Sequence, residues 1–216
     1  PDGKTTTEFY PGHYFMEPYY ERAICTARKN HDEKSVIELT EELFDILSKD
    51  NQARNQEETF LEVSDLLRWL RACALYACCC CIQKKYTRAG NALLMAEKDM
   101  ENSIENWNEK AEEEAEKAKE AEEFSEQWYM NDLQRYKMIA EELNKQREPM
   151  FRFFEEQLVL LEKILPEHHP LLSMQRELMI WFCDDDKKAK KLERQNKKEK
   201  LFALFHNWNS WWEPDT

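Results

Sequence analysis

From Glu57 to Glu148 the chain contains no proline and a single glycine, Gly90. A sandwich or barrel interrupts itself with turn residues every ~8–12 positions, and a doubly wound fold needs glycine-rich crossings, so neither fits this stretch. Helices are the regular element that can fill it. Three glycines and seven prolines in 216 residues extend the same reading to the whole chain. The expectation is an all-α protein, an elongated multi-helix bundle with long antiparallel, partly coiled-coil helices. A chain of this length buries a core without disulfides or a structural metal.

The apolar periodicity divides the chain into three regions. Residues 1–31 are an aromatic and proline-rich arm in which Phe9, Tyr10, Tyr14, Phe15, Tyr19 and Tyr20 alternate with Pro11, Gly12 and Pro18. That pattern does not sustain a helix but supplies flat anchors, for the arm's own domain or for a partner. Residues 32–148 read as a helical bundle with a long acidic helix, and residues 149–216 as a C-terminal helical region.

Within the bundle, Val36, Leu39, Leu43, Phe44 and Leu47 share one face, giving a helix from Asp32 to Ser48 with Asp32 as its cap and Lys49 to Gln56 as the connection. The next stripe runs through Phe60, Val63, Leu67, Leu70 and Ala74, then becomes apolar on nearly all sides from Ala72 to Ile82. A helix of that kind belongs in the middle of a bundle. Gly90 marks a candidate corner.

Leu93, Ala96, Met100, Ile104 and Trp107 continue the stripe, which narrows to Ala111, Ala115 and Ala118. The segment Glu109 to Glu126 holds nine acidic and three basic residues. A thin alanine seam between charged faces suits a coiled-coil arm or a helix spanning two packed ends. Tyr129, Leu133, Tyr136, Ala140 and Leu143 then follow in steps of four and three. Pro149 is expected to open a new helix with Phe154, Leu158, Leu161 and Leu165 on its core face. The turn Leu165 to Pro170 ends it, with His168 and His169 exposed. Leu171, Met174, Leu178, Trp181 and Phe182 form a further face.

Forty-four acidic against thirty-one basic side chains give a formal charge of −13, which disfavours general attraction to phosphate backbones or anionic lipid. The cations are nevertheless concentrated. Asp184-Asp185-Asp186 precede Lys187, Lys188, Lys190, Lys191, Arg194, Lys197, Lys198 and Lys200, opposed only by Glu193 and Glu199. Acid first and base afterwards matches a helix dipole. The same cations can dock on the acidic section Glu109 to Glu126 of this or another subunit, or contact phosphates through Lys187, Lys188, Lys190, Lys191, Arg194, Lys197 and Lys198.

Cys78 to Cys81 are consecutive. Successive helical residues point about 100° apart, so the block cannot cross-link itself into ordinary disulfides, and reduced thiols in a cytoplasmic or nuclear protein are the simpler account. Cys78 and Cys81 could offer two thiolates to zinc, but no second pair has ligand spacing, so no metal and no cofactor is expected. Cysteines beside Lys84 and Lys85 also suit lipidation, although small apolar packing residues explain them as well. The longest uncharged run, Ala72 to Gln83, is shorter than the ~20 residues a spanning helix needs, and membrane association is not favoured. The start at Pro1 without a Met reads as a processed product or an excised region.

No nucleophile elbow, zincin helix, phosphate loop or dinucleotide fingerprint occurs. The expectation is a non-enzymatic structural or scaffold subunit that binds other proteins, or itself, in a larger assembly. Its candidate contact residues are Phe9, Tyr10, Tyr14 and Phe15 at one end and Trp208, Trp211 and Trp212 at the other. The alternatives are a nucleic-acid-associated helical protein using residues 187–200 and a peripheral membrane-associated helical dimer. Leu201, Leu204, Phe205 and the three terminal tryptophans share one face. If the helix of residues 184–200 continues, about 25 Å separates that face from Trp181, so it is expected to pack against another long element or a partner.

Overall fold

The structure, a computed structural model, describes residues 16–56, 62–120 and 123–205. These form seven α-helices: α1 (Met16–Lys29), α2 (Glu33–Gln56), α3 (Val63–Ile82), α4 (Tyr86–Glu120), α5 (Glu123–Ile164), α6 (Pro170–Trp181) and α7 (Asp186–Phe205). No strand occurs among the described residues. The all-α, multi-helix expectation is met by a densely packed bundle.

The uniformly apolar segment is indeed the centre. Helix α3 packs against α2, α4 and α5. Leu66, Leu70, Cys73, Ala74, Ala77 and Cys80 are wholly buried. Helix α4 meets α3 through Ala89, Ala92, Leu93 and Ala96, and α5 adds Met150, Phe154 and Leu161 to the same core. Phe154 stacks on Phe182 at 5.6 Å, joining α5 to the end of α6. A second apolar cluster, centred on Tyr20, Ile24 and Leu43, fastens α1 to α2.

Polar and aromatic contacts also tie the helices together. One Asp99 oxygen on α4 accepts from Trp69 Nε1 of α3 at 2.7 Å and from Asn51 Nδ2 of α2 at 2.9 Å. Phe44 of α2 stacks on Tyr76 of α3 at 4.0 Å, with planes 7° apart.

Several expected boundaries are corrected. The arm of residues 1–31 is helical from Met16 onward. Pro18 sits in the first turn of α1, where its missing N–H costs nothing. The face Tyr20, Ile24 and Ala27, at steps of four and three, is what holds that helix down. Asp32 caps α2 as expected, its carboxylate accepting from Ser35 N at 3.1 Å and Ser35 Oγ at 2.6 Å. These hydrogen bonds hold its pKa below the usual carboxylate value. The expected connection Lys49 to Gln56 instead continues α2, and buried Asn51 explains why: its bond to Asp99 rewards another turn.

The corner between α3 and α4 lies at residues 83–85, not at Gly90, which is buried inside α4. Lys84 takes the left-handed conformation, φ 62°, with Lys85 N bonded to Cys80 O and Lys84 N to Cys81 O. That is a Schellman ending made by a lysine in place of glycine. Pro149 does not open a helix either, because α5 runs through it uninterrupted. The residue is exposed, so water can satisfy the carbonyl its ring leaves unbonded.

Candidate interaction surfaces

The aromatic candidates Phe9, Tyr10, Tyr14 and Phe15, and likewise Trp208, Trp211 and Trp212, lie outside the described residues. The basic segment is described. Helix α7 is capped by Asp185, whose Oδ1 accepts from Lys187 N at 2.8 Å and Lys188 N at 3.1 Å. The acid-first order therefore works locally as a cap.

After a turn at residues 182–185, α7 packs against α6. Asn196 donates to Ser173 O at 3.2 Å, Glu199 pairs with Arg176, and Lys200 pairs with Glu177. Lys188 reaches Glu155 at 3.6 Å and lies 3.9 Å from the Phe151 ring centroid. The aromatic face of residues 201–212, expected to stand about 25 Å from Trp181, lies outside the residues whose side chains are described. Lys197 and Lys200 line one groove together with Trp181, Glu97 and Arg147.

Arg176 was not singled out from the sequence. It is 3% exposed and bridges Glu199 of α7 and Glu162 of α5, the latter at 3.1 Å. The basic helix is thus held down by the buried Arg176–Glu199 pair, to which exposed Glu162 adds a third charge, and by Leu192 partly buried beneath it. The only sequence signal was an arginine amid Leu171, Leu172, Leu178 and Met179.

With its inner side committed, α7 turns Lys187, Lys190, Lys191, Arg194 and Lys198 to solvent, where they line one shallow groove with Gln195. Lys188 is drawn to Glu155 and Lys197 into the neighbouring groove, so the seven candidate phosphate contacts divide between surfaces. In that second groove, burial and then the neighbouring carboxylates of Glu177 and Glu101 raise the pKa of Glu97.

Cys78 to Cys81 all face the protein interior. Burial pushes the Cys80 thiol up to about 11 and Cys81 to about 12, and raises Cys78 and Cys79 as well. Thiols held protonated in a core are neither ligands nor nucleophiles. Cys78 Sγ instead donates to Gln157 Oε1 of α5 at 3.6 Å. Among the described residues no group of three or more His, Cys, Asp or Glu could hold a metal ion.

His169 corrects the exposed-turn reading of the His168-His169 pair. It is 2% exposed, caps α6 by accepting from Leu171 N at 3.2 Å, and packs on Tyr86 at 5.2 Å. Burial pulls its pKa down to about 4. A polar residue directly before Pro170, the first residue of α6, was the available sign of a cap. His168, at φ 66°, makes the turn and is partly exposed.

Beyond Trp107 on α4, and before Met150 on α5, no described residue is buried. Partly shielded positions there are 110, 111, 114, 115 and 118 on α4, and 133, 136, 139, 142, 143 and 146 on α5. Among the described residues, no helix is long and apolar enough to cross a membrane. Comparison with protein-family models, curated proteins and solved structures finds no match.

Proposed function

We propose that this chain is a non-enzymatic helical subunit that binds other proteins in a larger assembly, with the α4–α5 pair as its projecting element. The observation that carries the reading is the absence of any buried residue, among those described, beyond Trp107 on α4 and before Met150 on α5. The shielded positions recur in steps of three and four, the spacing of a two-helix seam. Two helices packed on each other and joined through two residues run antiparallel. From Trp107 to Glu120 such a pair reaches about 20 Å at 1.5 Å per residue. Its outer faces are charged and its seam is thin, so its own packing stabilises it little, and a partner helix can add to it at modest cost. A cytoplasmic or nuclear setting agrees with the reduced, buried thiols.

Solution scattering on the full chain and on a variant with residues 110–136 replaced by a short glycine linker tests this reading. The full chain is expected to show the larger maximum dimension, and partners captured from the source cells are expected to be lost with the replacement. Identical scattering profiles together with an unchanged set of partners would remove the reading.

A second reading rests on the α7 groove. Five exposed cations along one helix face suit a polyanion such as a nucleic-acid backbone. Among the described residues, no aromatic side chain lines that groove. Loss of duplex and single-strand oligonucleotide binding with added salt, by the full chain, is the test.

A further inference from the structure

Two exposed stripes of opposite charge lie on different helices. On α7, Lys187, Lys190, Lys191, Arg194 and Lys198 recur at helical steps of three and four and are all exposed. On α4, Glu101, Glu105, Glu109, Glu112 and Glu116 follow steps of four, four, three and four and are also all exposed. The first stripe is about 16 Å long and the second about 22 Å, at 1.5 Å per residue. Other cations of the chain find carboxylates within it: Lys188 pairs with Glu155, Lys200 with Glu177 and Lys117 with Glu114. No ion pair among the described residues joins any of the ten stripe side chains to a partner.

We propose that the α7 stripe of one copy of this chain docks on the α4 stripe of a second copy. The inference rests on the protein-binding reading above and names the partner. Charge complementarity decides the occupant. A chain at −13 repels a phosphate backbone at long range. A second copy also repels overall, but screening shortens that repulsion to about 10 Å at 0.1 M salt, while the stripes meet in contact. Contact between like stripes is repulsive, so only the α7-on-α4 register is attractive. Each copy carries both stripes, and a two-fold axis relating the copies makes the contact twice. Exposed ion pairs are individually weak, so the association is reversible and sensitive to salt.

Sedimentation equilibrium of the full chain tests the proposal through charge reversal. The wild type is expected to form a concentration-dependent dimer in about 0.1 M salt, weakening at least ~10-fold in about 1 M salt. A variant with Lys190→Glu, Lys191→Glu and Arg194→Glu is expected to be monomeric, as is one with Glu105→Lys, Glu109→Lys and Glu112→Lys. Mixing the two reversed variants apposes opposite charges at both contacts again and is expected to restore the dimer. Alanine at the same positions, three on each stripe, serves where a reversal lowers helix content by circular dichroism; each alanine variant is expected to weaken the dimer, and mixing the two is expected to restore only one of the two contacts.

A wild type that stays monomeric throughout, including one that does so while binding a duplex oligonucleotide, overturns the proposal. Reversed variants that fail to associate when mixed do the same. If copies do not associate but capture still depends on residues 110–136, only this proposal falls. Mutual rescue by the reversed stripes with no effect of replacing residues 110–136 on shape or capture would instead remove the broader reading.

Discussion

His169 shows how one side chain couples local structure to solution conditions. Its ring accepts a hydrogen bond at the start of α6 and is almost wholly buried, so the protonated form is disfavoured and the folded pKa lies near 4. An ordinary histidine in the unfolded chain titrates near 6.5. Between those values the unfolded state binds the additional proton, so stability is complete above about pH 6.5 and declines towards pH 4 by up to about 1.4 kcal/mol per unit. His169→Asn, which keeps a capping acceptor without the titration, is expected to flatten that part of the urea-midpoint profile. Arg176 makes a second residue-level claim. Arg176→Ala leaves the buried Glu199 carboxylate unpaired and is expected to cost about 3–5 kcal/mol, whereas Arg176→Met with Glu199→Met is expected to come near neutral. A double-mutant cycle by chemical denaturation gives the coupling, and additive losses would contradict the triad.

Among the elements, α3 is specified by its neighbours on all sides and α4 by a single face. The four consecutive cysteines can all be buried only because α2, α4 and α5 surround α3. Brief alkylation of the native protein, mapped by mass spectrometry, is therefore expected to label partly exposed Cys183 well before Cys73 or Cys78 to Cys81. Early labelling of the block would mean that this surface is open. The end of α3 carries a conformational cost, because Lys84 holds φ 62° where a side chain crowds the backbone. Lys84→Gly is expected to stabilise the protein by about 1 kcal/mol, read as a higher thermal midpoint. A lower midpoint would mean that the lysine side chain contributes more than its strained backbone costs.

Across the whole molecule, burial is concentrated in α3 and the adjoining parts of α4, α5 and α6, and thins along the α4–α5 pair. Hydrogen exchange reports that gradient. Amides of α3 are expected to exchange slowest, close to the global unfolding limit, and those of residues 110–120 and 130–145 orders of magnitude faster through local opening. Uniform protection across both regions would show that the outer helices are stabilised as strongly as the core.

Local sequence alone determined helicity, the central place of residues 72–82 and the Asp32 cap. Each depends on side-chain period, composition or a contact within one turn, which a linear chain displays. Tertiary structure decided the rest. Asn51 carries α2 past its apolar stripe because Asp99 lies on another helix. Pro149 stays inside α5 at an exposed position where water can satisfy the carbonyl its ring leaves unbonded. His169 is buried because Tyr86 of α4 packs against it. The basic run acquired two sides only when Arg176 and Ser173 took hold of Glu199 and Asn196, since which half of a charged helix faces inward depends on partners distant in the chain. Tertiary packing thus separated the cations spent on folding from the five presented to solvent.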